Sequence, residues 1–255
     1  MMIVGIIPAR FASTRLMGKP LADIGGKSLI QHTYENASRS KLLNKIIIAV
    51  DDEKVEKVCK GFGAKVVLTK KDITTGSDRV SYVAKKNKKA DIIVNIQGDE
   101  PFIDGTMIDQ AIEPLLFDKN VYVSTLAKRI ETRKELESPD VVKVVFDYQN
   151  YALYFSRSPI PYIRDAFITE DIIKKTEFYK HIGLYVYRRD YLLKFTNLET
   201  TDLEKTEKLE QLRLLENGIN IKIVVTELDS IGVDTPEDLE RAREHYNWIQ
   251  AGKEK

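Results

Sequence analysis

Short apolar runs alternate with amphipathic ones along the first half of the chain. Ile3–Ile7, Lys45–Val50, Lys65–Leu68 and Asp91–Ile96 are brief, rich in Val and Ile, and closed by polar residues or proline, a pattern that predicts strands. They lack polar alternation, so both faces are expected to be covered, as in a parallel sheet. Between them "KSLIQHTYENAS", "DEKVEKVCKGFG" and "GSDRVSYVAKKN" carry apolar residues three and four apart, the spacing of helices that cover such a sheet. The pattern changes after about Ser138. "VVKVVFDYQNYALYFS" predicts a hairpin turning at Asp147–Asn150, a long polar stretch runs from Arg164 to Lys180, and "HIGLYVYRR" returns to strand. One helix is expected over "LEKTEKLEQLRLLENG", with Leu203, Leu209, Leu212 and Leu215 on its buried side and Asn217-Gly218 as its stop. The strand "INIKIVV" and a terminal helix from Thr235 resume the α/β pattern.

The expected fold is therefore α/β: a doubly wound, mainly parallel sheet in a single domain over 1–255, with 141–194 as an inserted antiparallel lobe for substrate binding and dimerisation. In such sheets ligands bind beyond the carboxyl ends of the strands, which directs attention to the residues that follow each strand.

Composition narrows the choices. At 255 residues, 43% of them hydrophobic, the chain suffices for a large core. Forty basic residues against thirty-nine acidic ones leave a formal charge of +1, so nothing global points to nucleic acid or to an acidic membrane, and any anion site must be local. The single cysteine, Cys59, cannot form an intrachain disulfide and is expected to be a buried structural residue of a cytosolic protein. "MMIVGIIPAR" lacks the basic start of a signal peptide, and its apolar run is too short to span a membrane.

Three strand ends carry chemistry. The loop "IIPARFASTRLMGKP" sets Arg10, Arg15 and Lys19 among the small residues Ala9, Ala12, Ser13 and Gly18. It matches neither the dinucleotide glycine fingerprint nor a P-loop. Two guanidiniums able to fork onto phosphate oxygens, with one mobile ammonium, suit a polyphosphate; a solvated basic loop is the bland alternative. "ADIIVNIQGDEPF" ends a strand in Gln97, Gly98 and Asp99, where glycine permits a close backbone approach and Asp99 is expected to face the cationic loop. In "SIGVDTPEDLERAREH", Thr235, Pro236 and Asp238 are explained as a helix start, which leaves Asp234 over. Magnesium is commonly held by one or two carboxylates together with substrate phosphate, so Asp99 and Asp234 are candidate Mg²⁺ ligands. Seen alone, each also reads as an ordinary acidic turn.

Taken together, "IIPARFASTRLMGKPL", "TTGSDRV", "VNIQGDEPF", "VVKVVFDYQNYALYFSRSPIPY", "HIGLYVYRR", "LEQLRLLENG" and "GVDTPEDLER" resemble the 3-deoxy-manno-octulosonate cytidylyltransferase family from first strand to last helix. The resemblance implies a sheet of nucleotide-diphospho-sugar transferase type and an Mg²⁺-dependent, cytosolic homodimer. It implies that such an enzyme joins CTP and 3-deoxy-D-manno-octulosonate (Kdo) into CMP-Kdo and pyrophosphate for lipopolysaccharide biosynthesis. It assigns Pro8, Ala9, Arg10, Ser13, Arg15 and Lys19 to CTP, together with Thr75, Gly76, Ser77, Arg79 and Gln97. Asp99 and Asp234 fall to the metal, and with Arg10, Arg15 and Lys19 they form the catalytic set. Gln97, Arg157, His181, Tyr185, Glu210 and Gln211 fall to the sugar, with Arg157 on its carboxylate. Met17 stands where the family usually has proline, and Val50 where threonine often precedes Asp51. Three other functions share parts of the pattern. One is activation of a related sugar acid such as 8-amino-Kdo or a sialic acid. Another is a glycosyltransferase, which would usually show a D-x-D motif that this chain lacks. The last is a non-catalytic nucleotide-binding protein.

Overall fold

The computed structural model describes residues 1–12 and 15–253. In chain order the elements are β1 (Ile3–Ala9), β2 (Asp23–Ile24), β3 (Lys27–Ser28), α1 (Leu29–Ala37), β4 (Lys45–Val50), α2 (Glu53–Gly61), β5 (Val66–Leu68), α3 (Gly76–Lys86), β6 (Ile92–Asn95) and α4 (Gly105–Phe117). There follow β7 (Val123–Arg129), α5 (Arg133–Glu137), β8 (Lys143–Phe146), β9 (Ala152–Ser156), α6 (Glu170–Lys175), β10 (Tyr179–Arg188), α7 (Arg189–Phe195), α8 (Asp202–Glu207), α9 (Leu212–Glu216), β11 (Ile221–Val225) and α10 (Pro236–Lys253). A short 3₁₀ turn occupies Lys19–Leu21. The chain forms two compact units, one made of 1–109 with 230–255 and the other of 110–229.

In the first unit the strands run β6-β1-β4-β5, all parallel, with Ile6 opposite Ile47 on one side and Asn95 on the other. Ile6, Ile7, Ile48, Val50, Ile92 and Ile93 are buried, which explains why these strands show no polar alternation. β5 is the outer strand and its side chains are partly or fully exposed. Helix α3 turns Val80, Val83 and Ala84 inward and carries Lys85 and Lys86 in its last turn, where cations favour the helix dipole. Cys59 is buried on α2, and burial pushes its thiol up to about 12, so it is a packing residue.

In the second unit β7 pairs parallel with β11 and antiparallel with β10, which also pairs with the β8–β9 hairpin. The hairpin turns where expected. Asp147 accepts the N–H groups of Gln149 and Tyr151 at 2.9 and 2.8 Å, and Asn150 takes the left-handed conformation. The antiparallel strands expected over 141–194 thus lie within a larger unit that also contains β7 and β11.

The helix expected over 203–218 is instead two short ones, α8 and α9. Lys208 sits between them with φ 56°, left-handed, and Arg213 folds back so that its Nε donates to Glu204 at 2.7 Å in a buried pair. Leu209 and Leu212 are buried, but Leu203 is exposed because it belongs to the other helix. A dimerisation lobe is expected to expose its β-rich, aromatic segments around 148–155 and 185–187; of these Tyr148 and Leu153 face outward, whereas Phe155, Tyr185 and Tyr187 are core residues.

Candidate active site

β1 delivers the chain at Pro8 and Ala9 into the cationic loop. The loop closes at Gly18, which adopts φ 68° and donates its N–H to the Phe11 carbonyl at 3.1 Å. Glycine suits that left-handed turn, and it sets Lys19 at the start of the 3₁₀ turn with Pro20 buried beneath. Leu16 anchors the loop against the apolar cluster of Ile24, Leu29, Val233, Leu239 and Ala242. Met17, where the family usually has proline, is exposed.

Beyond β6, Gly98 passes so close to β1 that a Cβ there would lie 2.4 Å from the Pro8 carbonyl oxygen. The close approach foreseen for this glycine is made, in the protein itself, to another main chain. Asp99 follows, and its carbonyl accepts the Val233 N–H at 2.9 Å, which brings the segment before α10 alongside. Asp238 then accepts the N–H groups of Asp234 and Thr235, both at 3.0 Å, while Thr235 Oγ1 accepts from Asp238 N at 3.1 Å. This reciprocal cap leaves the Asp234 carboxylate free of capping duty.

The three elements meet at Lys19. Its Nζ donates to Asp99 Oδ2 at 2.7 Å and to Asp234 Oδ1 at 2.9 Å, and Arg15 reaches Asp234 Oδ2 at 3.0 Å. Burial on its own would lower the Lys19 pKa, but Asp99 and then Asp234 outweigh it and hold the ammonium above its ordinary range. A cleft of about 320 Å³ opens beside these groups, lined by Pro8, Ala9, Arg10, Arg15, Lys19, Gly76, Gln97 and Asp99 among others. Ser13 lies outside the described residues.

Arg79 does not join them. Its side chain is fully buried, and its guanidinium donates to Asp51 Oδ2 at 3.1 Å, to the Ile73 carbonyl at 3.0 Å and to Thr69 Oγ1. Direct contact with a nucleotide is therefore corrected to a supporting role: Asp51, held by Arg79, accepts the Phe11 N–H at 2.9 Å and fixes the start of the cationic loop. Arg10 leans toward the same carboxylate at 4.0 Å and donates to the Thr74 carbonyl at 2.6 Å. Thr75 caps α3 through Asp78, which places Gly76 and Ser77 in the first helical turn, whose positive end attracts anions.

Apart from Gln97, which lines the cleft of the first unit, the residues expected around a sugar fall in the second unit. His181 Nε2 lies 3.0 Å from Thr125 Oγ1, between the rings of Phe155 and Tyr185, and burial pushes its pKa down to about 3, so the imidazole is neutral. Burial, then Tyr187 and Glu210, push the Tyr185 phenol well above its ordinary value, and it remains a protonated donor. Gln211 is buried beside Glu210. Arg157 is held by its Nε on the Glu207 carbonyl at 2.8 Å and by its Nη1 on the Pro139 carbonyl at 2.9 Å. Thr125, Lys143, Glu207 and the hub role of Asp51 were not singled out from the sequence. The signal for Lys143 was present, as a lysine within the apolar run "VVKVVF".

The carboxylate pair also fits Mg²⁺. Its donors are hard oxygens, and both carboxylates already converge on one cation, the Lys19 ammonium. No cluster of three or more His, Cys, Asp or Glu able to hold a metal occurs among the described residues, so a metal here would complete its shell with phosphate and water.

Residues 4–223 match the Cytidylyltransferase family, and the chain is a nucleotidyltransferase enzyme of that class. A Geobacter sulfurreducens protein named 3-deoxy-manno-octulosonate cytidylyltransferase is 51% identical over 251 residues, which cover 96% of this chain and 99% of that protein. One of the same name from Pelobacter propionicus is 52% identical over 258 residues, covering 98% and 100%. The solved structure of CMP:2-keto-3-deoxy-manno-octonic acid synthetase complexed with CTP superposes with a TM-score of 0.90 at 40% identity, covering 98% of this chain and 100% of that one. The chain belongs to the 3-deoxy-manno-octulosonate cytidylyltransferase family. The 4-diphosphocytidyl-2C-methyl-D-erythritol synthase of Anaerococcus prevotii shares only the fold, at TM-score 0.63 and 16% identity, covering 96% and 98%.

Proposed function

We propose that the protein transfers the cytidylyl group of CTP to the anomeric hydroxyl of Kdo, giving CMP-Kdo and pyrophosphate. The observation that carries this is the convergence of Lys19 on Asp99 and Asp234 beside a cleft lined by Arg10 and Arg15. The arginines take phosphate oxygens in forked, charge-assisted hydrogen bonds, and Lys19 supplies a point charge to the same triphosphate. Pro8, Ala9 and Gly76 shape the cleft, Thr75 and Ser77 serve base and ribose, Gln97 lies between nucleotide and sugar, and the loop residue Ser13 belongs to the CTP site. Arg157 binds the sugar carboxylate, and Gln97, His181, Tyr185, Glu210 and Gln211 bind sugar hydroxyls. A neutral His181 and a protonated Tyr185 suit that task because each donates directionally without a charge of its own.

The hydroxyl oxygen of Kdo gives up its proton to solvent and forms its bond to the α-phosphorus as the bond to the departing pyrophosphate breaks, with no covalent enzyme intermediate. The protein orients the two substrates and surrounds the reacting phosphates with Arg10, Arg15 and Lys19. Asp99 and Asp234 would hold Mg²⁺, which when bound offsets the charge growing on the α-phosphate and the leaving group. Pyrophosphate release with CTP, Mg²⁺ and Kdo, each omitted in turn, tests this. Release that needs all three supports it, and release without Kdo, or with a sialic acid in preference to Kdo, overturns it.

The protein acts in the cytosol as a homodimer built on the second unit. Tyr148, Leu153, Tyr162 and Phe167 there are exposed apolar side chains, which a second copy would cover. Sedimentation at micromolar concentration is expected to give a dimer that Leu153→Lys weakens; a wild-type monomer would refute it.

A further inference from the structure

Two ionised side chains outside the assigned set grip Arg157. Lys143 is the first residue of β8 and has no exposed surface. Its ammonium donates to the carbonyls of Ser138 at 2.9 Å, Val141 at 2.6 Å and Arg157 itself, so all three of its donors are used. Glu207 works from the other side. Its carboxylate accepts from Ser156 Oγ at 2.6 Å and from the Arg157 N–H at 2.9 Å, and its main-chain carbonyl accepts from Arg157 Nε. Ser138, tied to Lys143, is the neighbour of Pro139, whose carbonyl accepts from Arg157 Nη1.

Apart from the three main-chain carbonyls it satisfies, the fold gives no reason for this lysine. Burying an ammonium is costly, and an apolar side chain of similar length would fill this buried position at lower cost. Burial lowers the Lys143 pKa, the charge of Arg157 lowers it further, and Glu207 works against both. What the arrangement achieves is fixation of Arg157. Its main chain is held on both sides, and two of its five N–H groups are fixed on carbonyls, which leaves the others on a partly exposed head. Two cations face one carboxylate in this group, and the excess positive charge suits an incoming anion.

We propose that Lys143 and Glu207 are positioning residues that clamp Arg157 in the orientation in which it receives the carboxylate of the sugar acid. This rests on Arg157 being the carboxylate ligand proposed above. The clamp sets specificity for an acid over an uncharged sugar, and it acts on sugar binding and not on CTP.

The test is steady-state kinetics of wild type, Lys143→Met, Glu207→Gln and Arg157→Ala, with Kdo and with its carboxamide, at saturating CTP, alongside melting temperatures. Both clamp variants are expected to raise the KM for Kdo by about tenfold or more with kcat and the KM for CTP little changed, because sugar binding alone is weakened. Both are also expected to lose most of the preference for Kdo over the carboxamide, a readout that loss of stability alone would not move. Should Lys143→Met fail to fold, Glu207→Gln carries the test, since its amide keeps one acceptor. If folded clamp variants keep the wild-type KM and acid preference while Arg157→Ala loses both, the clamp is refuted and Arg157 stands. If Arg157→Ala itself leaves the KM for Kdo unchanged, the assignment of Arg157 and the clamp fall together.

Discussion

Val233 donates its backbone N–H to the carbonyl oxygen of Asp99 at 2.9 Å, joining the end of the β6 segment to the entry of α10. Because the bond is between main chains, it fixes the spacing of the Asp99 and Asp234 side chains whatever those side chains are. Lys19 bridges them from a third segment. The acids that the basic loop lacks in its own sequence are thus supplied by two remote segments brought to its side.

Replacing Lys19 separates its two relations. The ammonium occupies the space between the carboxylates, so in the free protein a divalent ion must displace it. Lys19→Met is expected to bind Mn²⁺ about tenfold more tightly than wild type without nucleotide, an effect of roughly 1.4 kcal/mol, while binding CTP more weakly. Titration followed by the paramagnetic resonance of free Mn²⁺ reads the first effect. Unchanged or weaker Mn²⁺ binding would show that the two carboxylates do not share a cation site.

Arg15 has a different signature. Its contact with Asp234 at 3.0 Å is solvent-exposed on both partners, and exposed ion pairs contribute little to stability. Arg15→Ala should keep the melting temperature within a degree or two while losing turnover by about 2–4 kcal/mol, the usual cost of removing one donor to transition-state charge. Wild-type turnover would return the loop to a solvated surface.

His181 predicts a pH dependence of stability. Burial lowers its folded pKa to about 3, against an ordinary value of 6.5, so between these values the unfolded chain binds the proton that the folded one refuses. Stability from the neutral ring is complete above the unfolded pKa and declines as pH falls from about 6.5 toward 3. Urea unfolding at pH 7 and pH 5 should therefore show a loss in wild type that is smaller in His181→Gln. Equal losses in both proteins would mean that the imidazole is not held neutral.

Much of this was legible because the physics is local. The parallel strands showed themselves as unbroken apolar runs, the hairpin by Asp147 and Asn150, and the α10 start by Thr235, Pro236 and Asp238. What failed was non-local. The Leu spacing over 203–218 fits one helix, and only the buried Glu204–Arg213 pair and the left-handed Lys208 divide it. Arg79 belongs to the "TTGSDR" segment expected at the nucleotide, and no pattern near it announces that Asp51, Thr69 and Ile73 hold its guanidinium in the interior. The same holds for Tyr185 and Tyr187, whose burial depends on how β10 pairs.

The carboxylate pair gives the sharpest test of the site. If Asp99 and Asp234 serve one ion, Asp99→Asn and Asp234→Asn should each remove most of the turnover while CTP binding persists through Arg10, Arg15 and Lys19. Groups that act as a unit are non-additive, so the double variant should be scarcely slower than either single one. Helix capping is no rival explanation for Asp234, since Asp238 accepts both N–H groups at the start of α10 and Asp234→Asn leaves that cap intact. Stability should change little in the single variants, because each removes a carboxylate and leaves Lys19 the other as partner. Rates for the four proteins at saturating Mg²⁺ decide the matter: losses that multiply in the double variant would show two independent roles, and single variants near the wild-type rate would remove the metal from these residues altogether.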